Sequence, residues 1–262
     1  MVCVIGLGEI GAAVLRELVL VDGHKKVCGC DIDKEIVSKL KAQGFNVSTE
    51  IQKDDIYIIT VYTTEQVKEV ISKIAHRCHN SKMFPLISIE STTKPGTLEW
   101  IKAVKDKAGF DLVLFPHRFN PKDLQHHIFN LDRLLGGFDS ESVSRALKFY
   151  SKYMPKNLIH TYPIYVVELA KVVENVLRYM EIATAEELDL LLEQKGWDKV
   201  SRIALRNAVN TKWNIDLKEA RDGIGGKCLS KDMKIFNEFF SNNFLFQIAE
   251  NVDVIYKRRR AK

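Results

Sequence analysis

The chain has 262 residues, 46% hydrophobic and 28% charged, with a formal net charge of +5. That length can bury a sizeable core as one large domain or two small ones, and the composition excludes disordered and fibrous classes. No apolar run reaches the roughly 18 residues of a membrane span, and no basic leader or cleavage site precedes the first apolar segment, so a cytoplasmic, non-membrane location is expected. Five cysteines at irregular spacing then read as free thiols in a reducing compartment.

The first half alternates short apolar runs with amphipathic ones. VCVIGLG (Val2 to Gly8) is a strand, IGAAVLRELVLV a helix, KKVCGCDI a strand, and KEIVSKLKAQG a helix stopped near Gly44. DIYIITV (Asp55 to Val61) is a third strand, and Thr64 is the expected N-cap of the helix TEQVKEVISKIAHRC. MFPLISIES, DLVLFP and LDRLLGG supply further strands. Strands alternating with helices predict a Rossmann-like, doubly wound, mostly parallel sheet. After about Pro163 the strand signals stop. IYVVELAKVVENVLRYMEIATAEELDLLLEQKG has helical spacing without internal Pro or Gly and predicts one long helix ending near Gly196, roughly 45 Å long. The expected division is an α/β domain over 1–158 and an all-α domain over 159–262. The apolar girth of the long helix, 163–195, predicts a homodimer formed through it. The basic tail Tyr256 to Lys262 reads as a solvated, disordered terminus. It has no aromatic interleaving that would point to nucleic acid.

Gly6, Gly8 and Gly11 spell G-L-G-E-I-G between a strand and a helix. The first glycine permits the tight turn, the second lets a pyrophosphate approach the backbone, and the third lets helix pack on strand. Glu9, Ile10 and Gly11 open the helix, where free N–H groups face the phosphates. Asp31 ends the second strand, where an acid accepts the ribose hydroxyls and repels a 2′-phosphate, which favours NAD over NADP. Asp33, two residues on, is the alternative acid. A glycine turn that binds nothing would leave strand, motif, helix and acid in register by coincidence.

Lys171 and Asn175 lie four apart on the long helix and share a face. Lys171 can stabilise an oxyanion or move a proton, and Asn175 can hold a water or alkoxide. The bland alternative is that Lys171 pairs with Glu168 or Glu174. Cys228 follows the glycine-rich GIGG between Lys227 and Lys231, with Asp232 four residues on. Cationic neighbours and a helix N-terminus favour the reactive thiolate, whereas Asp232 opposes it. Cys3, Cys28 and Cys30 read as core. Cys78 lies beside His76 and His79, a spacing that matches no zinc motif and reads as a solvated helix end; no metal is expected.

Six segments together resemble the nucleotide-sugar dehydrogenases, the UDP-glucose and UDP-N-acetylmannosamine 6-dehydrogenase type. VIGLGEIG is similar to their dinucleotide fingerprint, ESTTKPGT (Glu90 to Thr97) to their S-T-x-x-P-G-T segment, and PHRFNP to their P-E-R motif. LLGG resembles the glycine pair that follows it, ELAKVVENVLRYMEIATAEEL the family's long helix, and GIGGKCLSKD the G-F-G-G-x-C-L-x-K-D cysteine loop. The resemblance implies a four-electron, NAD-dependent oxidation of a primary alcohol to a carboxylate through a Cys228 thiohemiacetal and thioester. It implies that Lys171 and Asn175 stabilise oxyanions and that Asp232 and Thr92 bind or activate water, with Thr92 also on the cofactor. His117 stands where the family has the glutamate of P-E-R, and would serve as the base or only structurally. The chain stops about where the family's nucleotide-gripping domain begins, so a separate nucleotide-binding subunit, a smaller substrate or lost activity is expected. The alternatives are a β-hydroxyacid-type dehydrogenase with a single hydride transfer and no cysteine, and a catalytically silent NAD-binding subunit.

Overall fold

The structure, a computed structural model, describes residues 1–79, 83–120, 123 and 125–261. It divides into two compact units, Met1–Leu169 and Ala170–Lys262.

In the first unit, β1 (Val2–Ile5), α1 (Glu9–Asp22), β2 (Val27–Cys30), α2 (Lys34–Ala42), β3 (Val47–Ser48), β4 (Ile56–Ile59) and α3 (Thr64–His79) come in that order. They are followed by β5 (Leu86–Ile89), α4 (Thr97–Ala108), β6 (Asp111–Leu114), β7 (Arg133–Gly137), α5 (Ser140–Tyr150) and β8 (Ile159–Thr161). The eight strands form one sheet in the order β3-β2-β1-β4-β5-β6-β7-β8. Every neighbouring pair is parallel except β6 with β7.

The apolar runs are continuous because both faces of the sheet are covered. Alternate residues feed opposite layers. Val2, Val4, Ile58 and Val113 pack with Leu15 and Leu18 of α1, Leu40 of α2 and Phe149 of α5. Cys3, Ile5, Tyr57, Ile59, Leu112 and Leu114 pack with Ile71 and Ile74 of α3 and Ile101 of α4. The doubly wound architecture is as the sequence predicts. The two shortest strands, β3 and β8, have two and three residues, too few to carry a periodic signal.

The N-cap of α3 differs from the expectation. Thr63, not Thr64, caps it: the Gln66 amide donates to Thr63 Oγ1 at 3.1 Å, while Gln66 Oε1 accepts from the Thr63 amide at 3.0 Å. This is a capping box that satisfies both ends reciprocally. The Thr64 hydroxyl accepts from the Lys94 amide instead.

The long helix α6 (Ile164–Gln194) has 31 residues and stops before Gly196, whose φ is +81°. The division between the units falls inside it, rather than at 158. Its first turn belongs to the sheet: Ile164 and Val167 are part of the core around α3 and α4. Gly136 of β7 allows this approach, since a Cβ there would lie 2.7 Å from Ile164 Cα.

The second unit contains the rest of α6 with α7 (Lys199–Val209), α8 (Lys227–Phe239) and α9 (Phe244–Arg260). Val172, Val176, Tyr179 and Ala183 form one helical stripe that packs on Ile224, Met233, Phe236 and Ala249. The basic tail is helical to Arg260 rather than disordered. Arg259 pairs with Glu193 at 3.1 Å, and Arg260 with Asp189 and Glu193, both on α6. Cations in a last helical turn also suit the helix dipole. Among the described residues, no helix is long and apolar enough to cross a membrane.

Candidate active site

The carboxyl ends of β1, β2, β4, β5 and β6 gather the first group of predicted residues. The sheet order reverses at β1, flanked by β2 and β4, which is where α/β sheets bind ligands. Gly6 follows β1 with φ +89°, and a Cβ there would press on Val61 and the Thr60 backbone at 2.9–3.0 Å. A Cβ on Gly11 would lie 1.8 Å from the Gly6 carbonyl oxygen. Gly8 differs: it caps α1, and among the described residues nothing lies within 4 Å of its would-be Cβ. Two glycines are therefore required by the fold and one leaves an open approach, which fits a bound phosphate. The first-turn amides at Glu9, Ile10 and Gly11 have no acceptor four residues back within the helix.

Asp31 accepts from the Leu7 amide at 2.6 Å and from the Asp33 amide at 2.9 Å. Those bonds hold its carboxylate beside the glycine loop with lone pairs to spare for a diol. Asp33, the alternative acid, is engaged otherwise: it caps α2 by accepting from Glu35 and Ile36. Sequence reading passed over Thr60, whose hydroxyl donates to the carbonyls of Gly6 and Ile5 at 2.7 and 3.1 Å. A threonine ending an apolar strand beside a glycine loop is the signal that could have found it. Thr92 is half-buried after β5, beside Ser91, whose hydroxyl donates to Val61 O at 2.7 Å.

His117 is buried at the end of β6, with Nε2 against Glu90 Oε2. Arg133, fully buried, reaches the same oxygen at 3.1 Å, and the Tyr150 hydroxyl donates to Glu90 Oε1 at 2.6 Å. Burial pushes the Glu90 carboxyl up, but the charges of Arg133 and His117 and hydrogen bonds from His117 and Tyr150 outweigh it and hold it at about 2. Burial and the Glu90 charge raise the Tyr150 phenol. Glu90 and Arg133 were not picked out from sequence; a charged residue inside the apolar strand of β7 was the available sign.

The second group lies in the second unit. Cys228 is exposed, in the first turn of α8 after Gly226, whose φ is +82°. Asp232, one turn on, is only 1% exposed. Asn175 Nδ2 donates to Asp232 Oδ2, joining the long helix to the cysteine helix. Asp232 Oδ1 has no hydrogen bond among the described residues and lies 3.6 Å from Lys231 Nζ. Burial raises the Asp232 carboxyl, against the charges of Lys231 and Lys171 and the bond from Asn175. Lys171 and Asn175 are half-buried on one face of α6. Three polar groups, a cation, an amide and a carboxyl with one open lone-pair set, thus meet around Asp232, one helical turn from the exposed thiol. Glu168, one candidate partner of Lys171, accepts from the Gly96 amide at 3.2 Å in the first unit.

Cys3, Cys28, Cys30 and Cys78 are all buried. Cys78 turns into the core instead of marking a solvated helix end; the His79 side chain lies outside the described residues, as do the Lys227 side chain and Pro121. One trio, Cys3, Cys28 and Asp54, brings ligand atoms within 4.8 Å of one another. Three donors fall short of the four that a structural zinc takes, and Cys28 Sγ already donates to Asp54 at 3.3 Å.

Comparison with known proteins bears on both groups. The model of the UDP-glucose/GDP-mannose dehydrogenase family, NAD binding domain, matches residues 44–154, and that of the same family's central domain matches residues 166–255. A UDP-N-acetyl-D-mannosamine dehydrogenase of Methanocaldococcus jannaschii is 27% identical over 96% of this chain and 65% of its own length. A UDP-N-acetyl-D-glucosamine 6-dehydrogenase of Pseudomonas aeruginosa is 27% identical over 88% of this chain and 61% of its own. The solved structure of the UDP-D-ManNAc dehydrogenase from Pyrococcus horikoshii superposes with a TM-score of 0.84 at 23% identity, over 98% of this chain and 69% of that one. The chain therefore spans about two thirds of the length of these proteins.

Proposed function

The chain belongs to the UDP-glucose/GDP-mannose dehydrogenase family, and from that premise we propose that it oxidises the primary alcohol of a nucleotide sugar to a carboxylate, with NAD as the oxidant. The Asn175–Asp232 hydrogen bond carries this reading. It ties the K-x-x-x-N helix to the cysteine helix, so that Lys171, Asn175 and Asp232 serve the carbon that Cys228 attacks.

NAD, when bound, would supply the two-electron oxidant for each of two oxidations. Gly6, Gly8 and the first turn of α1 would hold its pyrophosphate and Asp31 its ribose, with Thr92 at the strand end next to it. The chain's own residues do the rest. In the first oxidation Lys171 and Asn175 stabilise the alkoxide as the hydroxyl loses its proton. Cys228 adds its sulfur to the aldehyde carbon, and the carbonyl oxygen takes up the charge as a thiohemiacetal. That carbon would then give up a hydride to the nicotinamide and its hydroxyl a proton, leaving a thioester. Asp232 takes a proton from water as the water oxygen bonds to the thioester carbon, the C–S bond then breaks with its electron pair going to sulfur, and the carboxylate leaves with the Cys228 thiolate regenerated. A raised carboxyl is suited to this step because its proton affinity is nearer that of the working medium. His117, committed to Glu90, positions the β6 end rather than acting as the base.

The long helix supports a homodimer in the same reading. Leu177 and Leu191 on α6 are 55% and 48% exposed, an apolar surface that a second copy would cover. Light scattering at micromolar concentration tests it, and a monomer would contradict it. The activity itself is tested with a panel of UDP- and GDP-sugars, reading NADH and acid together. Two NADH per acid are expected, and Cys228→Ser should form no acid. Undiminished acid from that variant, or one NADH per turnover, would overturn the cysteine mechanism.

A further inference from the structure

The cysteine loop is fastened at its entrance. The Ile224 amide donates to Asp253 Oδ1 at 2.8 Å, and the Ile224 carbonyl accepts from Lys257 Nζ at 2.9 Å. The same ammonium lies 2.7 Å from Asp253 Oδ2, which also accepts from the Tyr179 hydroxyl at 3.1 Å. Both hydrogen-bonding groups of Ile224 therefore end on one acid–base pair, four residues apart on α9. Gly223, with φ +98°, lies so close that a Cβ there would sit 2.5 Å from the Lys257 side chain. Ile224 is 2% exposed and packs in the core of the second unit with Met233 and Phe236.

Glu186 on α6 completes the cluster. It is fully buried, and neither of its carboxyl oxygens has a hydrogen bond among the described residues. The charged groups bearing on it are Asp253 and Lys257 of α9. Tyr179 lies on its own helix, and Glu250 acts on Tyr179 from α9. Two ionised carboxylates answered by one half-exposed ammonium would leave an uncompensated negative charge on buried groups, which is costly. Burial and the Asp253 charge, against Lys257, push the Glu186 carboxyl up to about 7. With Glu186 neutral, Lys257 answers Asp253 alone and its remaining protons are free for Ile224 O.

We propose that Asp253, Lys257 and protonated Glu186 form a latch that positions Cys228 by holding the Ile224 peptide, and that loss of the Glu186 proton loosens it. An ionised Glu186 would draw the Lys257 ammonium from Ile224 and repel Asp253. The glycines between Ile224 and Cys228 would then let the thiol wander. The three residues are positioning residues: nothing places them on the substrate. The proposal rests on the reading of Cys228 given above, but its test uses neither substrate nor NAD, so either can fail alone.

The test follows hydrogen exchange at the peptide containing Ile224, and iodoacetamide labelling of Cys228 by mass spectrometry, on the full chain from about pH 6 to 8. The other four cysteines are buried, and Cys228→Ser gives the background. After correction for intrinsic exchange, the wild-type peptide should open about tenfold more across that range, the equivalent of one unit of proton affinity. Glu186→Gln should hold the protected, low-pH rate throughout, and Asp253→Asn should exchange fast at every pH. The ratio of wild-type to Glu186→Gln labelling should change with pH, since any ionisation of the thiol itself cancels. Parallel wild-type and Glu186→Gln profiles would overturn the latch, even if the variants melted lower. If Asp253→Asn fails to fold, judged by its helical circular dichroism, the Glu186→Gln comparison decides alone.

Discussion

At the scale of single residues, the glycines and the buried ions separate what holds the fold from what awaits a ligand. Gly8→Ala meets nothing within 4 Å, so the variant should fold with an unchanged melting temperature. Its methyl would occupy the pyrophosphate approach, and NAD affinity measured by calorimetry should fall by about tenfold or more. Equal affinity would show that the loop binds no dinucleotide this way. Arg133 is the opposite kind of residue. It is the principal cation facing Glu90, with its guanidinium over the Phe115 ring at 3.7 Å. Arg133→Met should cost about 3–5 kcal/mol, because it strands a buried carboxylate. Glu90→Gln in the same chain should recover part of that, and urea midpoints at constant m value would measure both. If the double variant is no more stable than the single, the Glu90 charge is not what Arg133 answers.

At the scale of elements, the sequence was legible where an element is long or central. β1, β2, β4, β5 and β6 lie in largely apolar runs, and α6 is a long run without Gly or Pro, so both announce themselves. β3 and β8 are too short for periodicity, and the shared first turn of α6 depends on Gly136, which no local pattern reveals. Gly136→Ala would drive a methyl to 2.7 Å from Ile164 Cα. A backbone atom cannot yield as a side-chain tip can, so a loss of about 1–3 kcal/mol is expected, read as a lower melting temperature. An unchanged melting temperature would mean that α6 can lift from β7 freely. The candidate site divides in the same way. Cys228, Lys171, Asn175 and Asp232 sit in motifs with fixed spacing. Glu90, Arg133, Asp253 and Lys257 act through tertiary contacts between distant segments, and a single sequence does not record those. The basic tail misled for this reason: its charges find Asp189 and Glu193, some 66 or more residues earlier.

At the scale of the whole molecule, buried carboxyls make stability respond to pH, Glu168 and Glu186 prominent among them. Burial raises Glu168 and Glu186 each from the ordinary 4.5 to about 7. Between those values the folded chain binds more protons than the unfolded one. The contribution is therefore complete below about pH 4.5 and lost as pH rises through 7. Glu90, held at about 2, has the opposite sign: its contribution is present above its unfolded value and lost only as pH falls toward 2. Melting temperatures should thus decline from pH 5 to 8, and less so in Glu168→Gln or Glu186→Gln; a slope untouched by either change would refute the assignment. The sheet order has a consequence of another kind. β1 sits in the interior of the sheet, and Val2 pairs with Ile56 in β4, which is made well after it. At about 5–20 residues per second, its second edge waits roughly 3–11 s for that partner. During that interval a nascent VCVI strand has an open flank, the kind of unpaired edge on which another chain can add a strand.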